Sequence, residues 1–168
     1  NDDGIGDLPG LIQKLDYIAD CGFTVIWLHP VNESPFRDAG YDITDYYKVA
    51  PRYGTNEDFK ELCRQAHSRG IKIIYDLVAG HTSVDHPWFQ ESAKNEVNEY
   101  TNRYIWTKGT FDVGPGIRGY SQRDGNYIPN FFWSQPSLNY GYANPTEPWQ
   151  LPVDHPDCIA TKEELKKI

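Results

Sequence analysis

The sequence predicts an α/β fold assembled from parallel βα units, and three observations carry that expectation. Short apolar runs alternate with amphipathic stretches of helical period. Each of the first two helical stretches closes on a glycine, Gly22 and then Gly70. The first apolar run, Phe23 to Leu28, stops at His29-Pro30, as a buried strand would.

In chain order, Asp7 before Leu8-Pro9 has the form of a helix start, an acid at the N-cap and a proline in the first turn. Leu8, Leu11, Ile12, Leu15, Ile18 and Ala19 then recur at helical spacing, predicting one helix up to Gly22. After the strand Phe23–Leu28 comes a polar loop from Val31 to Gly54, rich in Pro, Gly, Asp and Tyr. Thr55 with Asp58 resembles a capping box, and Phe59, Leu62, Cys63 and Ala66 form the stripe of a second helix. Ile71–Val78 is the next predicted strand, and Pro87–Glu99 the next helix. Phe111 to Pro156 is dense in Gly, Pro, Asn, Trp and Tyr, and reads as an irregular, partly β excursion too aromatic for disorder. Thr161, with Glu164 as its box partner, is expected to open the final helix.

The net charge of −8 argues against nucleic acid or anionic lipid as partners. No apolar run approaches the roughly 18 residues a membrane span requires, and the acidic start, Asn1 to Gly10, does not read as a signal peptide. Five Trp and twelve Tyr exceed the expected needs of a core this size, and flat rings suit sugar faces. Enzymes and lectins share that bias. The three cysteines, Cys21, Cys63 and Cys158, give neither a metal pattern nor a disulfide framework. Cys21 and Cys63 are expected as small core residues, and the compartment stays open.

Three constellations carry chemistry. In Asn1-Asp2-Asp3-Gly4-Ile5-Gly6-Asp7, side chains of Asn1, Asp3 and Asp7 and the Ile5 carbonyl could wrap a hard cation such as Ca²⁺. The alternative is an acidic, glycine-rich turn that only caps the helix. In Gly40-Tyr41-Asp42, after the first strand, a phenol ring can stack on a pyranose while the carboxylate accepts hydroxyl hydrogen bonds. The alternative is an ordinary Asp-rich loop. In Asp76-Leu77-Val78-Ala79-Gly80-His81, a carboxylate at a strand end needs a partner, and His81 can donate to a sugar hydroxyl. The alternative is a structural Asp–His pair.

Trp27-Leu28-His29-Pro30, Gly40-Tyr41-Asp42, Arg52-Tyr53-Gly54-Thr55 and the stretch Asp76 to His81 follow the order and spacing of the α-amylase family, glycoside hydrolase family 13. The resemblance covers nearly the whole chain. Gln135-Pro136-Ser137-Leu138-Asn139 resembles the fifth signature of the oligo-1,6-glucosidase-like branch, Gln-Pro-Asp-Leu-Asn. The opening loop is similar to that branch's calcium loop. The resemblance implies a partial (β/α)8 TIM barrel, strands 2–3 and flanking helices. Residues 1–81 would be its N-terminal βα units, 82–156 an inserted subdomain, and 157–168 the start of the next barrel helix.

The same resemblance implies substrate-binding roles. Tyr41 would stack on the sugar before the scissile bond, Asp42 would hydrogen-bond its ring hydroxyls, and His81 would hold its primary hydroxyl. Asp76, Gln135 and Asn139 would be structural near the site. Asn1, Asp3, Ile5 and Asp7 would hold the first-loop Ca²⁺, with no organic cofactor. Two departures stand out: Gly80 replaces an Asn, and Ser137 an Asp, at positions that ligate an interdomain calcium in many α-amylases. That second ion is not expected here.

Family members retain anomeric configuration with two carboxylates about 5–5.5 Å apart. Those carboxylates sit on later strands, so no catalytic residue is expected in this chain. The expected partners are an α-glucan or oligosaccharide and the remainder of the barrel, with no nucleic acid and no membrane. The implied parent is a retaining α-glucosidase or α-amylase-type enzyme of carbohydrate metabolism. The alternatives are a transglycosidase or trehalose-synthase-like isomerase, a non-catalytic barrel relative, and a carbohydrate-binding module, which the βα strands disfavour.

Overall fold

The computed structural model describes Gly4 and residues 6–112 and 121–168. The chain divides into two compact units, one of Asn1–Ser34 with Asp45–Leu77, the other of Pro35–Thr44 with Val78–Ile168.

In the first unit, Asp7 caps α1 (Leu8–Gln13) by accepting from the Gly10 amide at 2.7 Å, with Pro9 in the first turn. The single helix expected up to Gly22 is two. Lys14 donates back three residues to the Leu11 carbonyl, tightening the turn, and α2 (Leu15–Asp20) starts afresh. The apolar stripe survives the break: Leu8 and Leu15 are buried, and Leu11, Ile12, Ile18 and Ala19 pack against the same core. Leu62, Ala66 and Ile71 complete it. Leu62 and Ala66 lie on α3 (Asn56–Ser68), whose capping box is complete: Thr55 Oγ1 accepts from the Asp58 amide and Asp58 Oδ2 from the Thr55 amide.

The two expected strands are shorter than the apolar runs suggest. β1 (Val25–Leu28) pairs in parallel with β4 (Lys72–Tyr75), Val25 opposite Lys72 and Leu28 opposite Tyr75. Val25, Trp27 and Ile74 lie exposed on this sheet. The Val31–Gly54 loop holds an unforeseen antiparallel ladder, β2 (Asn32–Glu33) with β3 (Asp45–Val49), supported by a 2.8 Å Glu33–Lys48 ion pair. A two-residue strand has no readable period, which is why the sequence conceals it.

The second unit has an aromatic core. Phe89, on α4 (Pro87–Ser92), stacks on Trp106 at 5.6 Å and meets Tyr104 and Tyr127 edge-on at 5.2 and 5.0 Å. Isolated bridges replace full strands: His81–Ser137, Tyr104–Leu138, Trp106–Tyr127 and Pro129–Pro136. Buried rings here have polar partners: Trp106 Nε1 donates to Ser92 Oγ and the Tyr127 hydroxyl to the Trp133 carbonyl. Part of the aromatic excess is therefore core.

Three expectations need correction. α4 ends at Ser92, not Glu99, because the Asn98 side chain donates to the Glu91 carbonyl and folds the chain back. α5 (Pro156–Leu165) begins five residues before Thr161, which is buried inside it. The start signal is the tetrapeptide Val-Asp-His-Pro, present at 84–87 and again at 153–156. In both copies the histidine Nδ1 caps the helix by accepting from the amide two residues on, and proline takes the first helical position. Finally, Cys21 is exposed and Cys63 half-buried; Cys158 is the buried thiol. Among the described residues no helix is long and apolar enough to cross a membrane.

Candidate substrate-binding site

The segment Pro35–Thr44 shapes the site in the second unit. Phe36 and Ala39 adopt left-handed φ values of 57° and 50°, conformations that cost a non-glycine residue roughly 1–2 kcal/mol each. Gly40, at 101°, carries the sharpest part of the turn without that cost. Hydrogen bonds hold the strained loop. Asp42 is fully buried, and its carboxylate accepts from the amides of Arg37 at 3.0 Å and Asp38 at 3.3 Å. The Tyr41 amide donates to the Asp38 carbonyl.

A second clamp comes from far along the chain. Gln135, fully buried, donates through Nε2 to Asp38 Oδ2 at 2.7 Å, and its Oε1 accepts from the Phe132 amide. Gln135 thus ties the Gln135–Asn139 signature to the Tyr41-Asp42 loop.

His81 meets the same loop. Its Nε2 lies 2.9 Å from the Tyr41 carbonyl, and its Nδ1 lies 3.0 Å from the Asn130 amide nitrogen. A carbonyl only accepts, so the proton sits on Nε2 and Nδ1 accepts from Asn130. Burial lowers the His81 pKa from its usual value, against the opposing pull of the Tyr41 carbonyl and the charges of Asp38 and Asp42. Phe131 stands edge-on to the imidazole with ring centres 5.7 Å apart, and is 73% exposed.

The remaining expected residues divide. Asn139 is buried: its Oδ1 accepts from the Gly141 amide, and its own amide donates to the Arg103 carbonyl. Beside it, the Tyr140 hydroxyl donates to the Ala79 carbonyl, and burial pushes its pKa up to about 12. Asp76 belongs to the first unit, where its amide donates to the Leu28 carbonyl just beyond β4. Asn1, Asp3 and Ile5 lie outside the described residues. Of the first-loop set only Asp7 is described, with Oδ1 committed to the helix cap. Among the described residues no cluster of three or more His, Cys, Asp or Glu side chains could hold a metal ion.

Tyr41, Asp42, His81 and Gln135 therefore gather in one unit. Asp38, Asn130 and Phe131 join them without having been foreseen. The one sequence signal for Asn130 and Phe131 is the run Asn130-Phe131-Phe132-Trp133, two residues before Gln135, with three consecutive aromatic rings, all exposed. A half-buried phenol, an exposed phenyl ring, a neutral imidazole and carboxylates already bound to donors can grip and orient a neutral polar ligand.

Comparison with known proteins identifies the family. The α-amylase catalytic domain matches residues 1–149. The chain is 45% identical over 150 residues to an oligo-1,6-glucosidase of Bacillus cereus, covering 83% of this chain and 27% of that protein. It is 47% identical over 152 residues to trehalose synthase/amylase TreS of Mycolicibacterium smegmatis, covering 83% and 26%. The solved isomaltulose synthase of Klebsiella sp. LX3 superposes with a TM-score of 0.82 at 33% identity, covering 99% of this chain and 29% of that one. The chain thus spans about a quarter of the length of the relatives it matches. The solved neighbours are α/β-barrel enzymes, and the two parallel strands here close no barrel by themselves. From its motifs, its paired βα units and these matches, the chain belongs to the α-amylase family.

Proposed function

We propose that this chain supplies the substrate-gripping part of a retaining α-glucosidase acting on α-glucosidic bonds of oligosaccharides. The observation that carries the reading is the hydrogen bond from His81 to the Tyr41 carbonyl, joining two motifs forty residues apart. The identity to an oligo-1,6-glucosidase supports it.

In this reading Tyr41 stacks on the glucosyl ring, and Phe131 extends the apolar wall. Asp42, its carboxylate oriented by the Arg37 and Asp38 amides, takes hydrogen bonds from ring hydroxyls. His81 reaches the sugar's primary hydroxyl by sharing its Nε2–H with the Tyr41 carbonyl and, with Gln135, keeps Tyr41 and Asp42 in place. The nucleophile and acid/base carboxylates come from barrel strands other than the two present, about 5–5.5 Å apart as retention requires. β1 and β4 are the second and third barrel strands; residues 82–156 are the inserted subdomain, and 157–168 open the next barrel helix. The exposed Val25, Trp27 and Ile74 support this placement, since a barrel interior would cover them. A Ca²⁺ in the first loop, on Asn1, Asp3, Ile5 and Asp7, stiffens the entry to α1; the donor pattern of the sequence supports it.

The test is turnover of a chromogenic α-glucoside by the full-length protein, with the anomer of the released glucose followed by NMR. Release of α-glucose fits the proposal, whereas β-glucose or no turnover overturns it. The identity to TreS supports a second reading, an isomerase or transglycosidase. Maltose converted to trehalose, in place of glucose release, selects that one.

A further inference from the structure

Position 80 departs from the family signature by lacking a side chain, and backbone conformation does not explain the departure. Gly80 is not among the residues of positive φ, so left-handed backbone does not demand a glycine there. Space explains it. A Cβ built on Gly80 falls 2.6 Å from the Asn130 side-chain nitrogen, too close for real atoms. That same nitrogen lies 3.0 Å from His81 Nδ1. Backbone bonds bring the two segments together: the Leu138 amide donates to the Gly80 carbonyl, His81 bridges Ser137, and the Asn130 amide donates to the Gln135 carbonyl.

We propose that Asn130 is a positioning residue for His81, filling the space a side chain at position 80 would take, and that the Gly80–Asn130 pair holds His81 as its Nε2–H tautomer. With Nδ1 occupied by an amide donor, the single ring proton is directed at the Tyr41 carbonyl. Only the consequence for sugar binding at Tyr41 rests on the function proposed above. The tautomer and the steric coupling stand without it.

The coupling makes a specific test. Asn130 is exposed on the surface, so Asn130→Ala removes one outward side chain. In Gly80→Ala the new methyl meets the far end of that flexible side chain and displaces it, without touching backbone. The full-length protein would be labelled with ¹⁵N-histidine, and the His81 resonances assigned by their loss in His81→Gln. At neutral pH the wild-type ring is expected to show a protonated Nε2 and a bare Nδ1. Both single variants are expected to move His81 toward a mixture of tautomers, with far-UV circular dichroism unchanged. The double variant is expected to match Asn130→Ala alone, because no amide remains to displace. A protonated Nδ1 in the wild type overturns the proposal. So does an unaltered His81 in Gly80→Ala, or a double variant whose shift is the sum of the singles. Because the readout is spectroscopic, it holds whether or not the protein turns over α-glucosides.

Discussion

Gln135 and Asp38 stand ninety-seven residues apart in the chain and share a 2.7 Å hydrogen bond, with the glutamine fully buried. Through it the Gln135–Asn139 segment holds a loop that strains at Phe36 and Ala39. Gln135→Leu keeps the volume but leaves Asp38 without that donor and the Phe132 amide without its acceptor. A loss of about 1–3 kcal/mol is expected, the usual cost of stranding buried polar groups. Urea unfolding would measure it, and a several-fold rise in KM on an α-glucoside would report the loosened Tyr41-Asp42 loop.

His86 predicts an acid weakness in the second unit. Burial and the nearby Arg103 cation lower its pKa to about 3, and Arg103 itself lies over the Trp88 ring at 4.9 Å. Unfolded, the imidazole binds its proton near pH 6.5, so between about 6.5 and 3 the unfolded chain holds more protons than the folded one. Stability should fall on acidification through that window, by up to about 1.4 kcal/mol per pH unit from this group alone. His86→Asn keeps a good helix cap and removes the titration. Unfolding measured at pH 7 and pH 5 should show a shallower loss in the variant than in the parent.

Two substitutions at Asp7 separate its roles as helix cap and as calcium ligand. Asp7→Ala removes the bond to the Gly10 amide and should cost about 0.5–2 kcal/mol with or without calcium. Asp7→Asn keeps the cap but gives up the anionic oxygen. Calcium should raise the Tm of the wild type and do so far less in either variant. An undiminished calcium response in Asp7→Asn would rule out the first-loop site.

Phe89 holds the aromatic core, touching Tyr104, Trp106 and Tyr127 with no exposed surface. Phe89→Ala opens a cavity among three rings that are themselves fixed by hydrogen bonds. A cost of about 3–5 kcal/mol is expected. Thermal unfolding followed by tryptophan fluorescence would record it.

The sequence made some of this legible and hid the rest, for physical reasons. Leu8 to Ala19 and Phe59 to Ala66 were readable because an apolar stripe of helical period reports the face that packs. Thr55 and Asp58 were readable because a capping box is local chemistry at fixed spacing. Tyr41, Asp42 and His81 stood out because they sit in short motifs whose order and spacing match the α-amylase family. Asp38 and Asn130 did not, since each acts through a partner 97 or 49 residues away, and no local pattern encodes such a pairing. The start of α5 was missed for a different reason. Thr161 has the look of a cap, yet its hydroxyl bonds back to the Asp157 carbonyl inside the helix. The true start repeats the Val-Asp-His-Pro of α4, visible only when the two stretches are set side by side.

The bare sheet face bearing Trp27 makes that residue a built-in optical gauge. With 67% of its surface open, its indole should emit at the red end of the tryptophan range and be readily quenched by iodide. Any strand or helix laid across β1 and β4 would shift that emission blue and shield it. With the other four tryptophans replaced by phenylalanine, closure of the barrel around this chain can thus be timed by the colour of one side chain.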